Sequence, residues 1–461
     1  MNKKRNQERK YLLFILLIIS LGFLLLISSY VDKGVSATLT TKDGELDISY
    51  YFLSLFPNAF YAFFFVAVFL LMHVYMRIKL PDADPLILPA VAMLSGIGLI
   101  TLLRLSPDLA LSRNEAIQAI LSRNPEANIK NNVLVLAQLG MKQFLFIVSG
   151  ILLMILSINI FNIRSFSWFS SKKYFWVFLS TMLIIATLLL GTEINGRSLW
   201  LFGFQTVELV KLLMLFFIAG YIYEKGRGIM TYRQTGFNVW INYTGPFIVM
   251  WFFAIIPLFI QRDLGPTFLM FVVFLLMFYY AGNRNFVTVS FLMLIMITGY
   301  IFYKTGYPPV VHERFEMMFD PFGRSESMSR VLWSISSGSV FGSGIGYGQP
   351  HRIPEVQSDF NFTVICEEMG FAGGTAVILA YALFIHRCFK IASQTENKYK
   401  KTLVTGIAVL FGVQSFIIIF GNLGVIPMTG ITLPLISYGG SSMLMNFIMA
   451  GIVLRISGDK S

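Results

Sequence analysis

Residues 402–454 read TLVTGIAVLFGVQSFIIIFGNLGVIPMTGITLPLISYGGSSMLMNFIMAGIVL, a run without a single Asp, Glu, Lys or Arg. A bilayer core about 30 Å thick takes about 20 apolar residues per helical crossing. The run therefore divides into two predicted spans, near 402–424 and 431–454. Pro427, Pro434 and the small residues between Ser437 and Ser442 break the second, because backbone groups freed inside a membrane need a cavity or neighbours to satisfy them. Transporter half-helices have this character, and so do helices that let a lipid tail pack closely.

The rest of the chain has the same texture. Its 461 residues are 56% hydrophobic and 13% charged, where a globular protein has about 25% charged residues. That excludes a soluble enzyme. Ten further candidate spans lie near 11–31, 52–76, 86–104, 135–161, 175–191, 204–223, 239–261, 265–282, 286–303 and 361–386. The predicted fold class is all-α: one polytopic integral membrane domain over residues 1–461, with about 12 transmembrane helices. The first span follows Lys3, Lys4, Arg5, Arg9 and Lys10, but it runs too long for a signal peptide and lacks a small-residue cleavage site. It reads as an anchor.

A net charge of +12 in a soluble protein would suggest nucleic acid; here it follows from the excess of Lys and Arg that cytoplasmic loops carry. Arg77 and Lys79, Lys172 and Lys173, Lys225 and Arg227, and Lys398, Lys400 and Lys401 fall in alternate loops. Both termini are then cytoplasmic, and residues 304–360 form one large extracytoplasmic loop, of a length that commonly carries function. With four His in the chain and no Walker loop, metal-spaced cluster or dinucleotide fingerprint, the chemistry falls to carboxylates, Arg and Lys. No nucleotide or organic cofactor is expected. If Cys366 and Cys388 share one helix they stand roughly 33 Å apart, too far to bridge.

Charged residues inside spans are functional hypotheses by default. Glu208 and Lys211 in FQTVELVKLL lie three apart on one helix face, either as a self-neutralised pair or as part of a site with Arg197 at the mouth of the same helix. Arg262 and Asp263 in IQRDLGP occupy a tight turn, and Glu367 and Glu368 in FTVICEEMGFAGG begin a span beside Asp359. The long loop mixes acids, among them Glu313, Glu316 and Asp320, with Arg314, Arg324, Arg330 and Arg352. Mixed charge suits a solvated loop. Acids among several Arg also suit a base beside a phosphate-holding cluster, and on the outer face that points to a lipid-linked, phosphate-bearing substrate.

Five segments in order resemble the SEDS family (shape, elongation, division and sporulation), the RodA/FtsW type. They are FQTVELVKL, QRDLGP, SISSGSVFGSGIGYGQ, PEVQSDFNFTVICEEMGFAGG and NLGVIPMTGITLPLISYGGSS, and they cover roughly residues 190–456. The resemblance implies a ten-helix core plus additions. It also implies a peptidoglycan glycosyltransferase of the bacterial cytoplasmic membrane that polymerises lipid II, the disaccharide-peptide on undecaprenyl pyrophosphate, with a class B penicillin-binding protein as partner. The family's catalytic Asp-Pro-x-Gly element matches DPFGRSESMSR, which makes Asp320 the expected catalytic base. Arg197, Glu208, Lys211, Asp263, Arg314, Asp359, Glu367, Ser437 and Ser441 are the expected substrate-binding residues, with a divalent cation such as Mg or Mn as a helper. Thr206-Val207, Arg262, Arg330-Val331 and Gln357-Ser358 depart from the family pattern. A flippase for the same precursor, or an inactive scaffold for a penicillin-binding protein, are the alternatives.

Overall fold

In a computed structural model the structure describes residues 3–38, 48–123, 133–161, 163–194, 197–230, 263–282 and 309–459, with scattered residues between 245 and 308. In chain order the helices are α1 (Lys3–Thr38), α2 (Ile48–Lys79), α3 (Ile87–Arg123), α4 (Val133–Ala137), α5 (Leu139–Ile160), α6 (Ile163–Ser171), α7 (Lys173–Leu190), α8 (Thr206–Met230), α9 (Leu264–Gly282), α10 (Pro309–Phe319), α11 (Pro321–Arg324), α12 (Glu326–Ser337), α13 (Asn361–Gln394), α14 (Lys398–Asn422) and α15 (Gly440–Gly458). Ten of the described helices are long and apolar enough to cross a membrane. They match ten of the twelve expected spans. The two others, 239–261 and 286–303, fall largely outside the described residues.

Burial sorts these helices. The apolar window of α3 is 94% buried and that of α8 89%, against 28% for α2. A helix apolar all round and buried all round lies in the middle of a bundle. α5 packs along α15, α13 along α14, and α7 along α8, and the two most buried spans, α3 and α8, carry the buried Arg104, Glu208 and Lys211.

The described residues are all-α in class, with details the sequence did not show. Thr192–Ile194 (β1), Arg197–Leu201 (β2) and Phe204–Gln205 (β3) form a small antiparallel sheet in the order β1-β2-β3. It sits between two spans, where a β-bulge and the left-handed Phe202–Gly203 turn fold the connection back on itself. The long inter-span segment 304–360 carries structure of its own, since α10, α11, α12 and a 3₁₀ turn at Pro350–Arg352 lie within it. Last, the predicted span 431–454 begins as helix only at Gly440. Residues 423–439 run as turns and extended chain, because Gly424 and Gly430 take left-handed φ values and proline removes backbone donors.

Within α13 the helix breaks at Gly370, with φ 66° and ψ −166°, a conformation open essentially to glycine alone. A Cβ there would stand 2.3 Å from the Gly342 nitrogen and 2.5 Å from the Val340 oxygen. Gly370→Ala is expected to destabilise the protein by about 1–3 kcal/mol, read as a lower thermal midpoint in detergent. An unchanged midpoint would mean that the 338–349 segment does not seat against the kink.

Candidate functional site

The irregular segment 423–439 gathers the polar groups. The Arg314 guanidinium donates to the Thr429 carbonyl at 3.1 Å, and a Cβ at Gly430 would lie 3.5 Å from Arg314 Nη2 and 3.6 Å from Asp359 Oδ2. Gly265, two residues after buried Asp263, packs so closely that a Cβ would stand 2.3 Å from the Thr429 oxygen. Gln414 donates to the Thr432 carbonyl at 2.7 Å and accepts from Lys211 Nζ at 3.1 Å. The Tyr438 N–H donates to the Gln357 carbonyl at 2.9 Å. These bonds occupy the carbonyls and N–H groups that a helix would have paired internally.

Several expected binding residues thus meet at one place. Arg314, Asp359 and the Asp263 turn come together around Thr429 and Gly430, and Lys211 reaches the same segment through Gln414. Glu208 and Lys211 form a buried ion pair at 2.7 Å, and the Lys211 ammonium also donates to Gln414, so it is engaged on both sides. Ser441 Oγ accepts from the Gln205 N–H at 2.9 Å, fastening α15 to β3. Ser437 is buried, and its N–H donates to the Leu433 carbonyl at 3.0 Å. Glu367 lies elsewhere: its Oε1 accepts from the Gln349 N–H at 2.6 Å and its other oxygen pairs with the Ser334 hydroxyl. Arg197 stands on β2, and its side chain lies outside the described residues.

Asp320 ends α10 and begins α11. Its carboxylate is exposed and accepts from the Gly323 N–H at 2.9 Å, with Pro321 at the first helical position, as the sequence Asp-Pro-x-Gly favours. Ser325 caps α12 in the same way, accepting from the Met328 N–H at 3.1 Å. The Ser329 hydroxyl ties the two turns together by donating to the Pro321 carbonyl at 2.6 Å. Around the acid are Glu316, His312 at 3.4 Å from Glu316, and Arg324 at 3.8 Å from it. Arg314 is six residues before Asp320, roughly 9 Å along a helix axis, so α10 joins the acid to the polar hub.

Burial pushes the Asp359 carboxyl up to about 6; the Ser358 hydroxyl lowers it, Glu355 raises it and Arg314 lowers it. An acid raised in the folded state holds more protons folded than unfolded. Its contribution to stability is full below the ordinary value of 3.8 and is lost as pH rises through about 6. The midpoint of the wild type is expected to fall relative to Asp359→Asn between pH 5 and pH 7, measured by thermal unfolding at both. Parallel midpoints would remove Asp359 as a titrating group.

Comparison with known proteins then places the chain. Residues 129–461 match the FtsW, RodA and SpoVE family of cell cycle proteins. The chain belongs to that family. Stage V sporulation protein E of Bacillus subtilis is 30% identical over 68% of this chain and 86% of its own length. The peptidoglycan glycosyltransferase RodA of Mycobacterium tuberculosis is 29% identical over 98% of this chain and 90% of its own. Among solved structures, a chain of a peptidoglycan synthase complex described as coordinating polymerization and crosslinking aligns with a TM-score of 0.61 at 23% identity, over 81% of this chain and 97% of that one. The rod shape determining protein RodA of Thermus thermophilus aligns with a TM-score of 0.54 at 23% identity, over 81% and 96%.

One cluster in this member of the family went unnoticed in the sequence. Arg104, fully buried on α3, pairs with Glu368 and Asp108 and donates to the Gly348 carbonyl at 2.7 Å. Glu368 accepts in turn from the Gly346 N–H at 3.1 Å. Together with Glu367 it clamps the glycine-rich segment 338–349 to α13. An Arg within an otherwise apolar span was the available signal.

Proposed function

We propose that this chain, a peptidoglycan glycosyltransferase of the RodA and FtsW type in cell-wall synthesis, joins lipid II units on the outer face of the bacterial cytoplasmic membrane with Asp320 as the base. The observation that carries this reading is the exposed Asp320 carboxylate, oriented by the Gly323 N–H on a turn continuous with the Arg314-bearing helix. In an inverting transfer, Asp320 takes the proton of the acceptor sugar hydroxyl while that oxygen bonds to C1 of the donor. The C1–O bond breaks and its electron pair leaves with the pyrophosphate. Arg314, half-buried on the helix that leads to Asp320, can neutralise phosphate charge, a stabilisation worth most where bound substrate excludes water; the buried Glu208–Lys211 pair holds α8 against α14.

A divalent cation such as Mg or Mn would take carboxylate and phosphate oxygens. Asp320 and Glu316, whose carbonyl accepts the Asp320 N–H at 2.8 Å, are the acids on hand, and they suit a cation held chiefly by substrate phosphates. Segments 239–261 and 286–303 complete twelve spans in this reading, with both termini cytoplasmic and 304–360 outside. The partner is a class B penicillin-binding protein that crosslinks the strands. The test is polymer formation from purified lipid II by the detergent-solubilised protein, with and without a cognate transpeptidase. Glycan strands in either case support the reading. No polymer in both, together with movement of the precursor across vesicles, overturns it in favour of a flippase.

A further inference from the structure

α13 is too long for the membrane it crosses. From Asn361 to Gln394 it extends about 50 Å at about 1.5 Å per residue, and the hydrocarbon core is about 30 Å thick. The break at Gly370 divides it. From Phe371 onward a continuous helix carries an outward stripe in which Phe371 is 72%, Ile378 44%, Leu379 62% and Phe389 43% exposed. That stripe faces lipid. Toward its far end Arg387 pairs with Asp84, roughly 24 Å from Phe371, and a core about 30 Å thick counted from that pair puts Phe371 just inside the near boundary of the hydrocarbon.

The segment 338–349, GSVFGSGIGYGQ, contains no charged residue and is stitched to α13 at this height. The Phe371 N–H donates to the Ser339 carbonyl and the Ala372 N–H to the Val340 carbonyl, both at 3.0 Å. Ser343 and Gly344 donate to the Glu367 and Glu368 carbonyls at 2.9 and 3.0 Å. Irregular backbone is tolerated at membrane depth where protein satisfies it, and glycine permits the approach: a Cβ at Gly342 would stand 2.1 Å from the Glu368 oxygen. Val340 is left 57% exposed and Phe341 85%, continuing the lipid-facing stripe beyond Phe371.

We propose that the 338–349 segment is a membrane-inserted wedge whose partner is the bilayer itself, with Val340 and Phe341 entering the leaflet next to the Asp320 side. Its second consequence rests on the function proposed above. The wedge follows directly on α12, so it fixes the height of α11 and Asp320 over the plane in which lipid-linked pyrophosphates lie.

Cys366 and Cys388 are both buried, so a single introduced cysteine can be spin-labelled selectively. The full chain carrying Val340→Cys or Phe341→Cys would be reconstituted into vesicles of phosphatidylethanolamine and phosphatidylglycerol. Phe371→Cys serves as the lipid reference and Glu326→Cys, 80% exposed at its side chain, as the aqueous one. Labels at 340 and 341 are expected to collide with oxygen more than with a water-soluble nickel chelate, as at 371. Collision ratios like those at 326 overturn the insertion. Low collision with both reagents also overturns it, because the surface is then covered by protein. The depth reading does not depend on catalysis, so it separates failure of the wedge from failure of the enzymatic reading. Phe341→Ser is expected to slow polymerisation several-fold in vesicles and leave it unchanged in detergent; equal rates in both settings would remove the height-setting role.

Discussion

Asp320→Ala is expected to cut polymerisation of lipid II by about 100- to 10,000-fold, the range a positioned general base contributes, while the protein still purifies folded. The two parts separate because the Asp320 side chain has two duties of unequal weight. As a helix cap it accepts one N–H, from Gly323, and losing a cap costs about 0.5–2 kcal/mol. As a base it has no substitute of the same reach on α11, whose other residues are Pro321, Phe322, Gly323 and Arg324. Asp320→Asn divides the duties, because Asn caps as well as Asp but cannot take a proton. Its thermal midpoint should match the wild type and its turnover should match the Ala variant. Activity within threefold of wild type in Asp320→Asn would remove the base and leave only a cap.

Lys211→Met is expected to be the most damaging single change to stability. Lys211 and Glu208 are 2.7 Å apart with side chains 3% and 6% exposed, so removing the ammonium strands a carboxylate in a low-dielectric interior at a cost of about 3–5 kcal/mol. Lys211 also holds Gln414, which holds the Thr432 carbonyl, so the irregular segment loosens as well. The double variant Glu208→Gln with Lys211→Met leaves no stranded charge and should recover much of the loss. Thermal midpoints of the two singles and the double form a cycle, and a double variant as unstable as the sum of the singles would mean that the two residues do not act as a pair.

Much of this was legible in the residues themselves. Hydropathy finds spans because no water is present in the core to satisfy free backbone, so each crossing must be a long apolar helix. Asp-Pro-x-Gly fixes its own cap, since both bonding partners lie within four residues. The Glu208–Lys211 pair is equally local, a consequence of helical spacing. The role of Glu367 was not legible. Ser334 and Gln349, which occupy it, reach it only after α12 and the glycine-rich segment fold back on α13. Arg104 and Gly348 are brought together by the same packing.

By itself, then, the sequence determined the solvent, the ten spans of the described residues, the break after α14 and the local turn that presents Asp320, because each depends on periodicity, composition or bonds between near neighbours. Tertiary structure alone decided that polar groups of α8, α10 and α14, with Gln357 and Asp359 just before α13, converge on residues 423–439, and that Glu367 and Glu368 clamp a glycine-rich segment. Those contacts join residues far apart in the chain, and their geometry follows from how the helices pack, which pairing rules for neighbours do not contain.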